Sequence, residues 1–356
     1  MSARVSLSVR TCLSVRIWWW LTPLALLSPL LALLFGAADI SLHNLLQCAL
    51  DDCASPVDAL IFHDIRLPRV LAGFLVGAGL AVAGAALQNV TRNGLADPYL
   101  FGVVAGAGLG ASVVTILFDP QTAQALGITP VVLLLQSLMP ESMVLPVAAF
   151  FGALLAVFMV QGLAMSHFAR TSEQLLLSGV AISLMLGAIT HFILYLGEPF
   201  AANKVMFWLM GSLTRVEPQH LWPLLGVVVI STTVLWLLGP RFDAMLLGDE
   251  NARTLGVEAG HMRMLAMVLC AALTAVIVSH CGGIGFVGLM IPHMIRRGVG
   301  VTTRAVVLGC VLCGGSFLVW VDVLARVSVR DQEIPIGIIT SAIGSLFFLL
   351  VMRQRA

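Results

Sequence analysis

The sequence is short of charge. Only 10% of its 356 residues are Asp, Glu, Lys or Arg, while 59% are hydrophobic; a soluble domain carries about 25% charged residues. No soluble fold of this length can hide so much apolar surface, so the bilayer is read as its solvent. There is one lysine, Lys204, and every other basic residue is arginine. A P-loop needs Gly-x-x-x-x-Gly-Lys followed by Ser or Thr, and Ala202-Asn203-Lys204-Val205 has no such glycines. The chain is therefore not a P-loop ATPase; if ATP drives it, a second protein hydrolyses the ATP. A formal net charge of +1 argues against nucleic acid as a partner. Enzyme signals are missing: no Ser/His/Asp arrangement, no H-E-x-x-H and no paired acids inside an apolar run. The midplane acids that a secondary transporter would use are missing too. The best acid in an apolar run is Asp322, four residues before Arg326, with which it can pair.

The seven cysteines do not read as a metal site, and no cofactor is expected. Cys310 and Cys313 are three apart in an apolar run, where cysteine behaves as a small hydrophobe. Cys48 and Cys53 lie in a polar loop read as outside the cytoplasm. In an oxidising periplasm a disulfide between them stays open.

A spanning helix needs about 20 apolar residues. Ten candidates are present: 17–36, 70–88, 99–118, 143–164, 174–196, 221–239, 262–280, 284–296, 304–324 and 335–352. The eighth is short and contains Pro292. Ala201 to Leu213 reads as a further short helix at the outer surface. The first run, Ile17 to Phe35, follows Arg4, Arg10 and Arg16, so a secretory signal cleaved at Gly36-Ala37-Ala38 competes with a retained helix. The run is long enough to span and more spans follow, so a retained helix is expected after a cytoplasmic segment 1–16. Thirteen basic residues then fall in inner segments and six in outer ones, the asymmetry of the positive-inside rule. An even span number puts both termini in the cytoplasm. Small residues recur every four positions at Gly73, Gly77, Ala81 and Ala85, and again at Gly102, Gly106 and Gly110, faces that let helices approach closely in lipid. No separate soluble domain is visible, so one permease domain over 1–356 is expected.

Several motifs stand out against this background. Arg66-Leu67-Pro68-Arg69 puts two arginines beside an apolar span. Arginine is costly in hydrocarbon, so the pair belongs at the water interface, against something acidic. Gln88 follows, then the polar turn Asn93-Gly94-Leu95-Ala96-Asp97-Pro98-Tyr99-Leu100-Phe101-Gly102. The inner loop 240–261 contains Gly248-Asp249-Glu250-Asn251-Ala252-Arg253-Thr254-Leu255-Gly256. Acids open that stretch and a glycine closes it, the start and stop signals of a short helix. Ala252 and Leu255, three apart, share a face. Gly282 to His293 and Glu333-Ile334-Pro335-Ile336-Gly337 complete the set. In this order the motifs resemble the permease subunits of binding-protein-dependent ABC importers for iron chelates and cobalamin, the FecCD/BtuC-type permeases. The resemblance covers nearly the whole chain from Arg66 onward.

That resemblance implies an all-α, polytopic fold of about ten transmembrane helices, BtuC-like and of the type II ABC importer kind, in a bacterial inner membrane. It implies a homodimer with the path on its axis, two ATP-binding cassette ATPase subunits below and a periplasmic substrate-binding protein above. Arg66, Arg69 and Arg326 would receive glutamates of the binding protein, a task suited to arginine's two-pronged fork. Asp249, Glu250, Ala252, Arg253, Leu255 and Gly256 would form the coupling helix that inserts into the ATPase. Asn93 and Leu95, with Thr171 and Ser172 in the turn between the fourth and fifth spans, would form the cytoplasmic gate. The family usually has proline where this chain has Gly94, so the turn here is looser. Gln88, Met206, Phe207 and Met210 would line the path. This soft apolar lining suits a flat hydrophobic cargo, so haem is expected ahead of siderophore or cobalamin. His43, His63, His191, His280 and His293 are read as interfacial or packing residues, because a transporter must release its cargo.

Overall fold

The computed structural model describes residues 21–36, 41–50, 52–53, 55–165, 172–329 and 332–353, and every regular element among them is helical. In chain order the helices are α1 (Leu21–Ala32), α2 (Leu42–Ala49), α3 (Pro56–Leu60), α4 (Leu67–Thr91), α5 (Val103–Leu117), α6 (Pro120–Ala125) and α7 (Thr129–Leu138). They continue with α8 (Glu141–Met165), α9 (Ser172–Leu196), α10 (Pro199–Leu209), α11 (Leu221–Leu237), α12 (Gly239–Leu246) and α13 (Asp249–Thr254). The last four are α14 (Ala259–Cys281), α15 (Val287–Val299), α16 (Thr303–Val327) and α17 (Ile336–Arg353).

Among the described residues, 7 helical runs are long and apolar enough to cross a membrane. Two of the remaining three expected spans appear as shorter helices: the third is the 15-residue α5 and the eighth is the 13-residue α15 around Pro292. The first is described from Leu21 onward, as α1. The apolar helix α7 was not expected; its run lies in what reads as the connection between the third and fourth spans.

The described residues group into two compact units. The first comprises those up to Asp97, Leu213–Leu273 and those from Gly285; the second comprises Pro98–Ser212 and Thr274–Ile284.

In the first unit α4 is the central helix, with 83% of its apolar window buried, and it lies along α15 and α16. Missing side chains permit this approach. A Cβ on Gly77 would sit 2.1 Å from the Gly314 carbonyl oxygen, and one on Gly84 only 1.8 Å from that of Gly288. The four-residue stripe is thus a packing face, and Gly84 beside it makes the closest contact. Gly84→Val should force α4 from α15 and cost about 1–3 kcal/mol, as overpacking does. The check is the unfolding midpoint of the purified protein; an unchanged midpoint would show that the two helices yield freely.

Before α4 the chain winds as a π-helical turn, Ile61–Arg66, in which the Leu67 N–H reaches back to the Phe62 carbonyl. Pro68 has no N–H to donate, and a π turn re-registers the chain at such a position. That turn aims Arg66 and Arg69 inward. α1 packs on the same region through Ala32, which clusters with Val70, Val319 and Val323, while Trp320 donates its indole N–H to Ser28 Oγ at 3.1 Å. A disulfide joins Cys48, in the last turn of α2, to Cys53 beyond it.

In the second unit α5 crosses α8 at glycine. A Cβ on Gly106 would lie 2.2 Å from the Gly152 carbonyl oxygen, and one on Gly110 2.1 Å from that of Ala148. The segment after α14 is zipped to the end of α10: Ser212 N–H donates to the Cys281 carbonyl at 2.9 Å and Gly283 N–H to that of Leu209 at 3.3 Å. Gly282 is a glycine by necessity, with φ at +70° and the Trp208 carbonyl oxygen 2.0 Å from where its Cβ would be.

Candidate functional site

Three groups of predicted residues can be placed, each within one unit. The first gathers at the Arg66 end of α4. Arg69 donates from Nε to Asp322 at 2.9 Å and grips Glu333 two-pronged, Nη1 to Oε1 at 2.8 Å and Nη2 to Oε2 at 2.9 Å. Asp322 also faces Arg326 one turn on in α16, with Nη2 and Oδ2 3.0 Å apart, so the expected pairing is present. Arg326 Nη1 donates to the Phe35 carbonyl at 2.9 Å, and Arg66 Nη1 to that of Leu33 at 3.0 Å. Gly36 leaves room for the Arg66 guanidinium, since a Cβ there would be 2.5 Å from it. Arg66, Arg69 and Arg326 are only 3%, 6% and 7% exposed. In this structure their donors serve the turn after α1, α16 and the segment before α17, and the fork of Arg69 is filled by the chain's own glutamate. Nothing in the local sequence announces Glu333 as the partner of Arg69; the two are 264 residues apart.

The second group lies at the Arg92 end. α4 has 25 residues, about 37 Å of helix at 1.5 Å per residue, so the two ends stand at opposite faces of a bilayer with a hydrocarbon core of about 30 Å. Arg92 ends α4 in the left-handed conformation, φ 51°. In the turn that follows, Asn93 Oδ1 accepts from Leu95 N–H at 2.9 Å, an Asx turn. Leu95 is exposed, and a Cβ on Gly94 would meet no atom within 4 Å. Of the other gate residues, Thr171 lies outside the described residues, and Ser172 is described only as the first residue of α9.

α13 forms where the loop signals placed it and ends in a Schellman cap. Gly256 N–H donates to Arg253 O and Val257 N–H to Ala252 O, both at 2.9 Å, with Gly256 at φ +76°. The expected shared face of Ala252 and Leu255 is split. Ala252 is fully buried and Leu255 is 62% exposed, so Ala252 packs inside while Leu255 faces outward, as do Glu250, Asn251, Arg253 and Thr254. Asp249 bonds Arg92 at 2.9 Å and Arg263 of α14 at 3.2 Å. It ties α13 to two long helices.

Gln88 is 4% exposed and spends its amide inside the first unit. Pro292 has no N–H for the Gly288 carbonyl four residues earlier, and Gln88 Nε2 donates to that carbonyl instead at 3.2 Å. The Gln88 amide oxygen accepts from Arg296 Nη1. Arg296 also bonds Asn89 Oδ1 at 3.0 Å, Asn89 donates to Thr303 Oγ1 at 3.0 Å, and Thr303 N–H donates to Asp243 at 2.7 Å. This chain from α4 through α15 and α16 to α12 was not foreseen. Its one sequence signal is a proline whose i−4 residue is a glycine pressed on another helix.

The third group is on α10, in the second unit. Met206 and Phe207 are 50% and 61% exposed, Trp208 is buried and Met210 is half-buried. Exposed soft side chains on one short helix are what a path lining requires. Among the described residues no three His, Cys, Asp or Glu side chains converge as a metal site.

These features define a polytopic, all-helical membrane protein with polar work at both ends of its central helix. The FecCD transport family matches residues 24–354. Named relatives include a cobalamin import system permease protein BtuC of Halobacterium salinarum, 38% identical over 296 residues, which are 83% of this chain and 74% of that protein. A vitamin B12 import system permease protein BtuC of Pectobacterium atrosepticum is 35% identical over 83% of each chain. A solved structure described as an inward-facing conformation of a metal-chelate type ABC transporter superposes with a TM-score of 0.79, at 26% identity over 95% of this chain and 99% of the other. The chain belongs to the FecCD transport family. It is a transport protein and not an enzyme.

Proposed function

We propose that this chain is the permease subunit of an ATP-driven importer that moves a large metal chelate across a bacterial inner membrane, as a homodimer with two ATPase subunits and one substrate-binding protein. The carrying observation is α13, a capped six-residue helix with an exposed leucine at its end, pinned by Asp249 to α4 and α14. A rigid knob fastened to long helices suits pushing by a partner. α13 and both termini would be cytoplasmic, and the Arg66 end periplasmic, with Cys48 and Cys53 on that side. Met206, Phe207 and Met210 would line the path, and Asn93, Leu95, Thr171 and Ser172 the gate.

Corrinoid now stands ahead of haem as cargo, because relatives at 38% and 35% identity carry cobalamin or vitamin B12 in their names. The softness of α10 does not separate the two. Arg66, Arg69 and Arg326 remain the docking proposal for the binding protein, in a sharper form: a visiting carboxylate would compete with Glu333 for the fork of Arg69. The deciding experiment reconstitutes the chain with its cognate ATPase and binding protein in proteoliposomes and supplies cyanocobalamin, haem and a ferric hydroxamate. ATP-dependent uptake of at least one is expected. Uptake driven by an ion gradient without ATP would sink the reading.

A further inference from the structure

α5, α9 and α10 of the second unit line an open pocket of about 340 Å³ that the reading above leaves unused. Its polar lining is mostly committed. Ser183 donates to the Gly179 carbonyl at 2.7 Å and Thr190 to that of Leu186 at 2.8 Å, each within α9. The Tyr99 hydroxyl accepts from Ile284 N–H at 3.0 Å. His191 differs: it is exposed, within a candidate span, and makes no hydrogen bond or ion pair among the described residues. One turn earlier Gly187 leaves the floor open, for a Cβ there would meet nothing within 4 Å. An uncommitted imidazole inside a span is expensive and points to function. Sequence pattern alone had placed it among interfacial or packing residues.

The geometry points to a seat for the rim of the imported chelate, in which His191 donates a hydrogen bond to a rim oxygen, carboxylate or carboxamide. We rest this on the importer reading. A neutral imidazole has one donor and one acceptor, so it can meet either oxygen. This pocket lies at the small end of its kind, so it takes an edge of the chelate and not the whole. A single hydrogen bond in an apolar wall holds weakly, as release requires.

The test uses the full complex in proteoliposomes, with haem as the carboxylate probe and cyanocobalamin as the carboxamide probe. His191→Leu should raise the KM for uptake about tenfold, the worth of one hydrogen bond, with the maximal rate held within about twofold. His191→Gln, which keeps a donor, should stay within about threefold of wild type. Gly187→Phe should fill the seat and raise KM at least as much as His191→Leu. Assembly with the ATPase, read by size-exclusion chromatography, controls for folding; if His191→Leu does not assemble, the Gln and Phe variants decide alone. A wild-type KM in His191→Leu or in Gly187→Phe overturns the proposal, and so does an equal loss in the Gln and Leu variants. If wild type carries neither probe, the importer reading for such chelates fails first, and the seat with it.

Discussion

Asp322→Ala should be the most destabilising single change in the chain. Asp322 is 1% exposed and is the one carboxylate between Arg69 and Arg326, themselves 6% and 7% exposed. Removing it leaves two buried guanidinium groups side by side. Breaking a buried pair costs about 3–5 kcal/mol, because the remaining charge is uncompensated. Glu333 cannot replace it: its side chain is 36% exposed and reaches only Arg69. Glu333→Gln should accordingly cost about 1 kcal/mol or less, a pair partly screened by water. The measurement is the unfolding midpoint of purified protein in nanodiscs. If Asp322→Ala unfolds at the wild-type temperature, the arginines do not depend on their internal partner and are free for an external one. The same pair of variants bears on docking. If the binding protein competes with Glu333, Glu333→Gln should tighten its affinity while Arg69→Glu abolishes it.

Much of the architecture was legible from composition and spacing. Apolar runs gave an all-helical membrane protein, and the glycine stripes marked where α4 meets α16 and α5 meets α8, because only a missing Cβ allows backbone contact there. The Asp322–Arg326 pair and the Gly256 helix end were also readable, since both are set by neighbours within one or two turns. What stayed hidden depends on distant residues. Glu333 reaches Arg69 across 264 positions and Gln88 reaches Gly288 across 200, and periodicity carries no information at that range. A lone amide such as Gln88 in an apolar helix has to find a partner, and the sequence does not say that this partner is a carbonyl freed by proline. The lengths of α5 and α15 were overestimated because hydropathy continues past the caps that end a helix. Ala252 was assigned outward because a three-residue spacing names a shared face without saying which way it turns.

The split between Ala252 and Leu255 makes the proposed coupling role of α13 testable at single-residue resolution. Leu255→Asp should uncouple transport from ATP hydrolysis. Leu255 is 62% exposed at the end of α13, so the substitution disturbs nothing inside the fold, and the Schellman cap at Gly256 keeps the helix end in place. If the leucine fills a pocket on the ATPase, a buried carboxylate in its stead costs about 2 kcal/mol or more, as loss of an interface anchor does. That is at least about a thirtyfold loss of ATPase affinity at 1.4 kcal/mol per decade. Ala252→Asp gives the contrasting result: Ala252 is fully buried, so a carboxylate there should lower the unfolding midpoint before any partner is added. Asp249→Asn should do neither. It should leave ATPase binding intact while lowering chelate moved per ATP, because it loosens the ties to Arg92 and Arg263 that connect the knob to α4 and α14. ATPase binding, ATP turnover and chelate uptake, measured on one reconstituted preparation of each variant, separate the three. Wild-type binding and uptake in Leu255→Asp would remove α13 from the coupling surface and move the search to the exposed turn at Leu95.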